Sequence, residues 1–203
     1  MQLLARPPYL LRKVYPGVVW RMSKQEKKIY LTFDDGPVPG VTPAALSVLK
    51  QLNVKATFFC VGDNAEKHPG IYQQVIAEGH SIGNHTFHHV DGWNISSRNY
   101  LEEVNHCAEI VSSELFRPPY GRMRPSQRKA IQRKYKIILW DVLTYDFEQS
   151  LSGEDCLELA LKNSRNGSIV VFHDSEKAKE RMLYALPEYI EEMRRRGFEF
   201  GVL

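Results

Sequence analysis

The sequence predicts an α/β fold, a distorted (β/α) barrel of about seven parallel strands in a single domain. Two observations carry this. Short apolar, β-branched or aromatic runs recur along the chain with helical patterns between them, the alternation produced by parallel strands joined through crossover helices. The chain has 203 residues, 43% of them hydrophobic, which suits one compact unit with a full core and leaves little room for a second.

In chain order, a first strand is expected over residues 29–34, where Ile29, Tyr30, Leu31 and Phe33 run into a Gly-Pro turn. A helix over 43–52 follows, opened by Thr42-Pro43, because proline is tolerated in a first helical turn. The second strand spans 56–61, a helix over 70–78 stops at Gly79, and the third strand spans 81–84. A long helix over 97–112 leads to a strand at 115–118, and a helix over 125–134 leads to a strand at 137–142. A helix over 153–163 precedes a strand at 168–172; the last helix, 177–196, stops at Gly197 before a final strand at 198–203. Sequential βα units of this kind close most naturally into a barrel, here with seven strands and not eight.

Lysines and arginines number 27 against 24 acidic residues, so no strong electrostatic case exists for nucleic acid as a partner. The three cysteines, Cys60, Cys107 and Cys156, are odd in number and widely spaced, which suggests thiols and not a disulfide framework. No stretch reaches the length of a transmembrane span. Near the N-terminus, Arg6, Pro7 and Pro8 interrupt any secretory signal, so the expected location is cytoplasmic. Residues 1–27 are expected to form a leader packed on the barrel and residues 28–203 the working domain. The leader mixes aliphatic and aromatic side chains with Arg6, Arg12 and Lys13, a composition that also suits peripheral contact with the inner membrane face. Pro7, Pro8 and Pro16 exclude one continuous amphipathic helix there.

The unusual polar residues cluster just past the expected strand ends, the rim where parallel α/β folds build their sites. The first strand runs into Asp34-Asp35-Gly36-Pro37, two adjacent carboxylates in what would otherwise be an ordinary turn. The third runs into His85-Thr86-Phe87-His88-His89, whose His85 and His89 are spaced so that a tight loop or a helical turn aims both imidazoles at one ion. Two nitrogen ligands and one carboxylate from the strand-one turn, with a coordination position open, are the ligand count of a catalytic metal site. The fourth strand ends at Arg117-Pro118-Pro119-Tyr120-Gly121, and the sixth delivers Val170-Val171-Phe172-His173-Asp174. Each motif alone has a bland structural reading; four in order at the ends of four strands do not.

From about residue 28 to 203 the chain resembles the NodB homology domain of the polysaccharide deacetylases, the family-four carbohydrate esterases. The resemblance rests on Thr-Phe-Asp-Asp-Gly-Pro, His-Thr-Phe-His-His, Arg-Pro-Pro-Tyr-Gly and Val-Phe-His-Asp. It implies a metal-dependent hydrolase that removes N-acetyl groups from an amino-sugar glycan or glycoconjugate. It further implies Asp34 as general base, Asp35, His85 and His89 as metal ligands, and Arg117 as the residue that orients Asp34. Tyr120 would supply a backbone N–H to the oxyanion and His173 would be the general acid. The cofactor is one divalent ion, zinc foremost, with nickel or cobalt as alternatives.

The segment from Trp140 to Phe147 departs from the family's Asp-x-x-Asp-Trp. Asp146 matches the second Asp, which in the family pairs with the catalytic histidine, but Leu143 replaces the first and Phe147 replaces the Trp. Val171 stands where the family often has Leu. Phe147, Val171 and Pro119 are expected to make an apolar wall for substrate. Two other readings stay open, an O-acetyl esterase using the same residues and a carbohydrate-binding protein with a dead site.

Overall fold

The structure is a computed structural model and describes residues 5–203. Among the described residues eight strands form one sheet: β1 (Lys28–Asp34), β2 (Thr57–Cys60), β3 (Ser81–Asn84), β4 (Leu115–Phe116), β5 (Lys136–Ile137), β6 (Val142–Leu143), β7 (Ile169–His173) and β8 (Glu199–Gly201). Their order is β5-β4-β3-β2-β1-β7-β6, with β8 pairing the first residues of β1, and every pairing between them is parallel. The curled sheet with its covering helices is the expected distorted (β/α) barrel.

The strand expected over 137–142 is two strands on opposite edges of the sheet. β5 pairs with β4, β6 pairs with β7, and residues 138–141 cross the opening between them. The leader fills the gap left below: Val19 bridges Ile138 in parallel and Arg21 bridges Ser168 antiparallel. Leu139 N–H donates to the Val19 carbonyl at 2.8 Å and Met22 N–H to the Gly167 carbonyl at 2.8 Å. Periodicity does not separate one buried strand from two short ones when the residues between them, Ile138 to Trp140, are apolar as well.

The helices are α1 (Tyr9–Val14), α2 (Thr42–Gln51), α3 (Gly62–Lys67), α4 (Pro69–Ala77), α5 (Ser97–Ile110), α6 (Pro125–Ile131), α7 (Gly153–Asn163) and α8 (Lys179–Arg195). Two of these were not expected. α1 sits between the prolines of the leader, and α3 buries only Gly62 and Ala65, too little to show an apolar period. The others follow from local chemistry. Ser96 caps α5 by accepting from Asn99 N–H, and Ser152 with Asp155 forms a capping box on α7. α8 buries Met182, Ala185, Leu186, Tyr189, Ile190 and Met193, one face at helical spacing.

The core beneath the rim is aromatic. Phe33 stacks on Phe58 at 4.8 Å and lies 6.0 Å from Phe172, all three fully or almost fully buried. Each such side chain contributes roughly 1.5–3 kcal/mol by burial, so the strand ends that carry the polar motifs stand on a rigid base.

Candidate active site

β1, β3, β4 and β7 bring their C-terminal ends together around one open cavity of about 240 Å³. Asp34 and Asp35 enter it from the end of β1, His85 and His89 from the turn after β3, and His173 from the end of β7. Asp34 and His173 are register partners on adjacent strands, so the two side chains sit at the same level of the sheet.

Asp35, His85 and His89 form a group of potential metal donors whose ligand atoms all lie within 4.8 Å of one another. Asp35 Oδ1 is 3.1 Å from His89 Nε2 and 3.9 Å from His85 Nε2. His85 Nδ1 is 2.7 Å from the Arg117 carbonyl, which only accepts, so Nδ1 carries the proton and Nε2 turns its lone pair to the group. Burial, reinforced by the neighbouring His89, lowers the His85 pKa to about 4 and keeps the ring neutral at physiological pH. Burial would raise the Asp35 pKa, but the hydrogen bond from His89 and the neighbouring His173 hold it far below the usual carboxylate range. Two neutral-capable imidazole nitrogens and one ionised carboxylate, open to solvent on one side, fit a catalytic divalent ion.

Arg117 lies fully buried beneath Asp34. Its Nη1 donates to Asp34 Oδ1 at 2.6 Å and to Thr32 Oγ1 at 2.8 Å, and its guanidinium stacks over Phe59 at 4.1 Å. The Leu139 and Ile138 carbonyls accept from the remaining edge at 3.3 and 3.4 Å. An arginine held on so many sides cannot rotate, and it fixes the carboxylate it pairs with.

His173 is held twice by Asp146. Nδ1 and Oδ1 are 2.7 Å apart, and the His173 backbone N–H donates to Oδ2 at 2.7 Å. Burial alone would lower the His173 pKa; the charge and hydrogen bond of Asp146, aided by Asp35 and Asp34, raise it to about 9. The ring is therefore protonated at neutral pH. Phe147 packs edge-on against it with ring centres 4.9 Å apart, and Phe147 and Val171 both line the cavity. Pro119 does not line it: the residue is buried in the short 3₁₀ turn of Pro119–Gly121, and Pro118 takes the place at the wall. Pro118 keeps an extended backbone while Pro119 opens the turn, so the two prolines face different ways.

Tyr120 in that turn adopts a left-handed backbone, with φ of 59°. Asp35, Thr86, His89 and Tyr145 also have positive φ. Non-glycine residues in this region cost on the order of 1–3 kcal/mol each and concentrate where a site over-determines the backbone.

A profile of the polysaccharide deacetylase family matches residues 21–137 of the chain. The chain belongs to the polysaccharide deacetylase family. It is 32% identical over 190 residues to a peptidoglycan-N-acetylglucosamine deacetylase of Bacillus cereus, covering 90% of this chain and 89% of the relative. It is 35% identical over 170 residues to a chitooligosaccharide deacetylase of Azorhizobium caulinodans, covering 78% and 79%. It spans 38% of the length of a peptidoglycan-N-acetylglucosamine deacetylase of Listeria monocytogenes, at 32% identity over 88% of this chain. A solved peptidoglycan N-acetylglucosamine deacetylase, in complex with an N-oxidanyl-benzamide, superposes with a TM-score of 0.90 at 32% identity, covering 97% of this chain and 95% of that one.

Within this polysaccharide deacetylase fold, several side chains that shape the site have no role in the sequence reading. Asp174, buried behind Asp35, accepts from Gly36 N–H at 3.0 Å and from Thr42 Oγ1 at 2.6 Å, bracing the turn that presents both carboxylates. A Cβ at Gly36 would lie 1.9 Å from Asp174 Oδ2, so only glycine fits there. Asn64 on α3 donates to the Asp35 carbonyl at 2.7 Å. The signal for Asp174 was its place directly after His173; Asn64 left none, since its helix was not legible. Trp140, Leu143, Arg122 and Lys177 complete the wall of the cavity.

Proposed function

We propose that the chain hydrolyses the N-acetyl amide of an amino sugar in a glycan or glycoconjugate, releasing acetate and leaving a free amine. The observation that carries this reading is the register pairing of Asp34 with His173 beside the Asp35, His85 and His89 group: a base, an acid and a three-donor metal site share one cavity. Asp35, His85 and His89 would hold one divalent ion, zinc in preference to nickel or cobalt, for which two imidazoles and a carboxylate are a common catalytic set. When bound, the ion supplies a Lewis acid that polarises the acyl group and makes water a stronger acid.

The remaining steps fall to the side chains. Asp34, fixed by Arg117, takes a proton from the attacking water as the water oxygen bonds to the acyl carbon. The Tyr120 backbone N–H is assigned to the acyl oxygen as negative charge builds there. His173, kept protonated by Asp146, gives the Nε2 proton to the sugar nitrogen as the C–N bond breaks. Without that proton an amide anion would have to leave. Phe147 and Val171 offer apolar surface to the acetyl methyl.

Acetate release from N-acetylated chitooligosaccharides, compared with acetylated xylan and repeated after chelation and after zinc, nickel or cobalt return, tests the reading. Preference for the xylan would turn the enzyme into an O-acetyl esterase, and no release from either would end the enzymatic reading. For location we propose the cytoplasm, peripheral at the inner membrane face, supported by the exposed Val14 beside Lys13 on the leader. Cosedimentation of the intact chain and a Lys13→Glu, Val14→Glu variant with anionic vesicles tests it; two chains that remain equally in the supernatant would remove the membrane from the proposal.

A further inference from the structure

The chain as a whole carries a net charge of only +3, but that charge is unevenly placed. Residues 122–136 hold seven lysines and arginines and no acid, so this segment is +7 and the rest of the chain together is −4. Such asymmetry points to an anionic partner. The segment runs from the 3₁₀ turn at the rim of the sheet through α6 to β5, which is an edge strand. α6 buries Gln127 and Ile131, while Arg124, Lys129, Arg133, Lys134 and Lys136 are exposed.

Neighbouring acids do not offset these charges. Among the described residues only Arg122 of the seven pairs with an acid, Asp91 at 3.0 Å. α5 meets α6 where the Ser97 and Ser126 hydroxyls lie 2.7 Å apart, but its Glu102 is held by Arg98 at 3.0 Å and its Glu103 by His88 at 2.9 Å. Glu114 meets Lys136 through its backbone carbonyl, which accepts from the Lys136 N–H at 2.8 Å. The leader adds an apolar point beside the charge. The Pro16 carbonyl accepts from Arg128 Nη1 at 2.6 Å and from Gln132 Nε2 at 2.9 Å, which seats the leader against the end of α6. Two residues earlier Val14 is 62% exposed, next to the exposed Lys13.

We propose that the face formed by residues 122–136 is a docking surface for an anionic lipid bilayer, with Val14 entering the headgroup layer beside it. The inference deepens the membrane contact proposed above, from which it takes the bilayer as partner, and it assigns most of the binding to α6 and its flanks. A cluster of this size is drawn to the negative surface potential of such a bilayer, each lysine or arginine near the surface giving about a fivefold gain in affinity. The cations are spread from the turn before α6 to the first residue of β5, which suits many mobile headgroups and not one bound anion. A nucleic acid would answer the charges but leave Val14 in water; a bilayer takes both. Arg122 also lines the catalytic cavity, so the docking face begins at the cavity mouth.

The test sediments the full chain and two variants with vesicles of phosphatidylcholine, alone or mixed with phosphatidylglycerol. One variant is Lys129→Gln, Arg133→Gln, Lys134→Gln, three exposed side chains away from the catalytic cavity. The other is Lys13→Glu, Val14→Glu. The parent is expected to bind the mixed vesicles and not phosphatidylcholine alone, and to be released as salt rises from about 0.05 to about 0.5 M. The triple variant binds at least about tenfold more weakly while keeping the parent's urea midpoint. Equal binding by the triple variant and the parent overturns the docking surface, as does equal binding of the parent to both kinds of vesicle. Tighter binding of the parent to a random-sequence DNA duplex than to mixed vesicles at the same salt overturns the lipid assignment. The two variants separate this inference from the leader contact. Loss confined to the Lys13→Glu, Val14→Glu chain overturns the α6 face and leaves the leader as the contact; loss confined to the triple variant supports the α6 face and removes the leader from the binding.

Discussion

Asp146 grips His173 through both carboxylate oxygens, Oδ1 on the ring Nδ1 and Oδ2 on the backbone N–H, each at 2.7 Å. One side chain thus fixes the ring's orientation, its tautomer and its charge. Because the proton on Nδ1 is committed to Asp146, the proton available to a leaving group is the one on Nε2.

Asp146→Asn is therefore expected to lower the His173 pKa from about 9 and to move the basic limb of the kcat/KM profile to lower pH. The sign follows from the direction of the shift. A histidine pKa raised by folding contributes stability that is fully present below the unfolded value of about 6.5 and is lost as pH rises through the folded value. The variant should lose that contribution near neutrality, and thermal melts at pH 6 and pH 9 should converge relative to those of the unsubstituted chain. A basic limb that stays in place would mean that His173 is not the acid.

Asp34→Asn is expected to keep its metal and lose turnover by ~10²–10⁴-fold, since it removes the base while Asp35, His85 and His89 remain. Metal content by atomic absorption and single-turnover acetate release measure the two effects separately. If Asp34→Asn emptied the metal site and Asp35→Asn kept it, the adjacent carboxylates would have exchanged roles.

The polar motifs were legible because they stand at strand ends, and strand ends are where apolar runs stop. Asp34, His85, Arg117 and His173 each follow such a run, so their convergence at one rim is written in the sequence. What the sequence could not show was geometry perpendicular to it. Residues 137–142 run Ile-Ile-Leu-Trp-Asp-Val, apolar but for Asp141, and the pairings of the structure reveal that the segment leaves one edge of the sheet and joins the other. Pro118 and Pro119 are equivalent as letters, and the turn alone decides which faces the cavity. Asp174 and Asn64 act on the backbone of the Asp35 turn, and bracing of this kind leaves no motif.

His85→Ala and His89→Ala are each expected to lower metal affinity by more than about 100-fold, because even loss of an outer partner of a metal ligand costs about 10–100-fold. Stability of the metal-free fold should change far less for His89, which is partly exposed, than for His85, which is buried and bonded to the Arg117 carbonyl. Competition with a chromophoric chelator gives the affinities, and urea unfolding of the apo chains gives the stabilities. Full activity of a chelated His85→Ala chain would remove the metal from the reaction.

Arg117→Met is expected to cost about 3–5 kcal/mol, the usual penalty for leaving a buried charge without its partner. Asp34 is 4% exposed and would keep no cation on Oδ1, and the Thr32 hydroxyl and two carbonyls would lose their donor as well. Arg117→Met combined with Asp34→Asn should recover part of the loss, which a double-mutant cycle in urea measures. Additive losses would show that Arg117 stabilises the fold through its carbonyl contacts alone.

The leader is held to the barrel by an unusual balance of charge around Asp141. This fully buried carboxylate accepts from Arg12 at 2.8 Å, from Arg165 at 2.9 and 2.7 Å and from Ser168 at 2.9 Å, with Arg6 at 3.8 Å and Arg21 at 4.0 Å. Three of these arginines belong to the leader. Burial would raise the Asp141 pKa, but the hydrogen bonds from Arg165, Ser168 and Arg12 lower it, so its stabilising effect is present above the ordinary carboxylate pKa of about 3.9 and is lost as pH falls through a lower value. Asp141→Asn removes the one acid that holds four guanidinium groups together and leaves them to repel. Since the arginines are partly exposed, the expected loss lies at or below the low end of about 3–5 kcal/mol, and it should shrink as salt screens the repulsion. The leader should then be cut by trypsin at Arg6, Arg12 or Arg21 in the variant under conditions that spare the parent chain. A variant whose leader resists trypsin as the parent does would show that backbone pairing at Val19 and Met22 holds the segment without the charges.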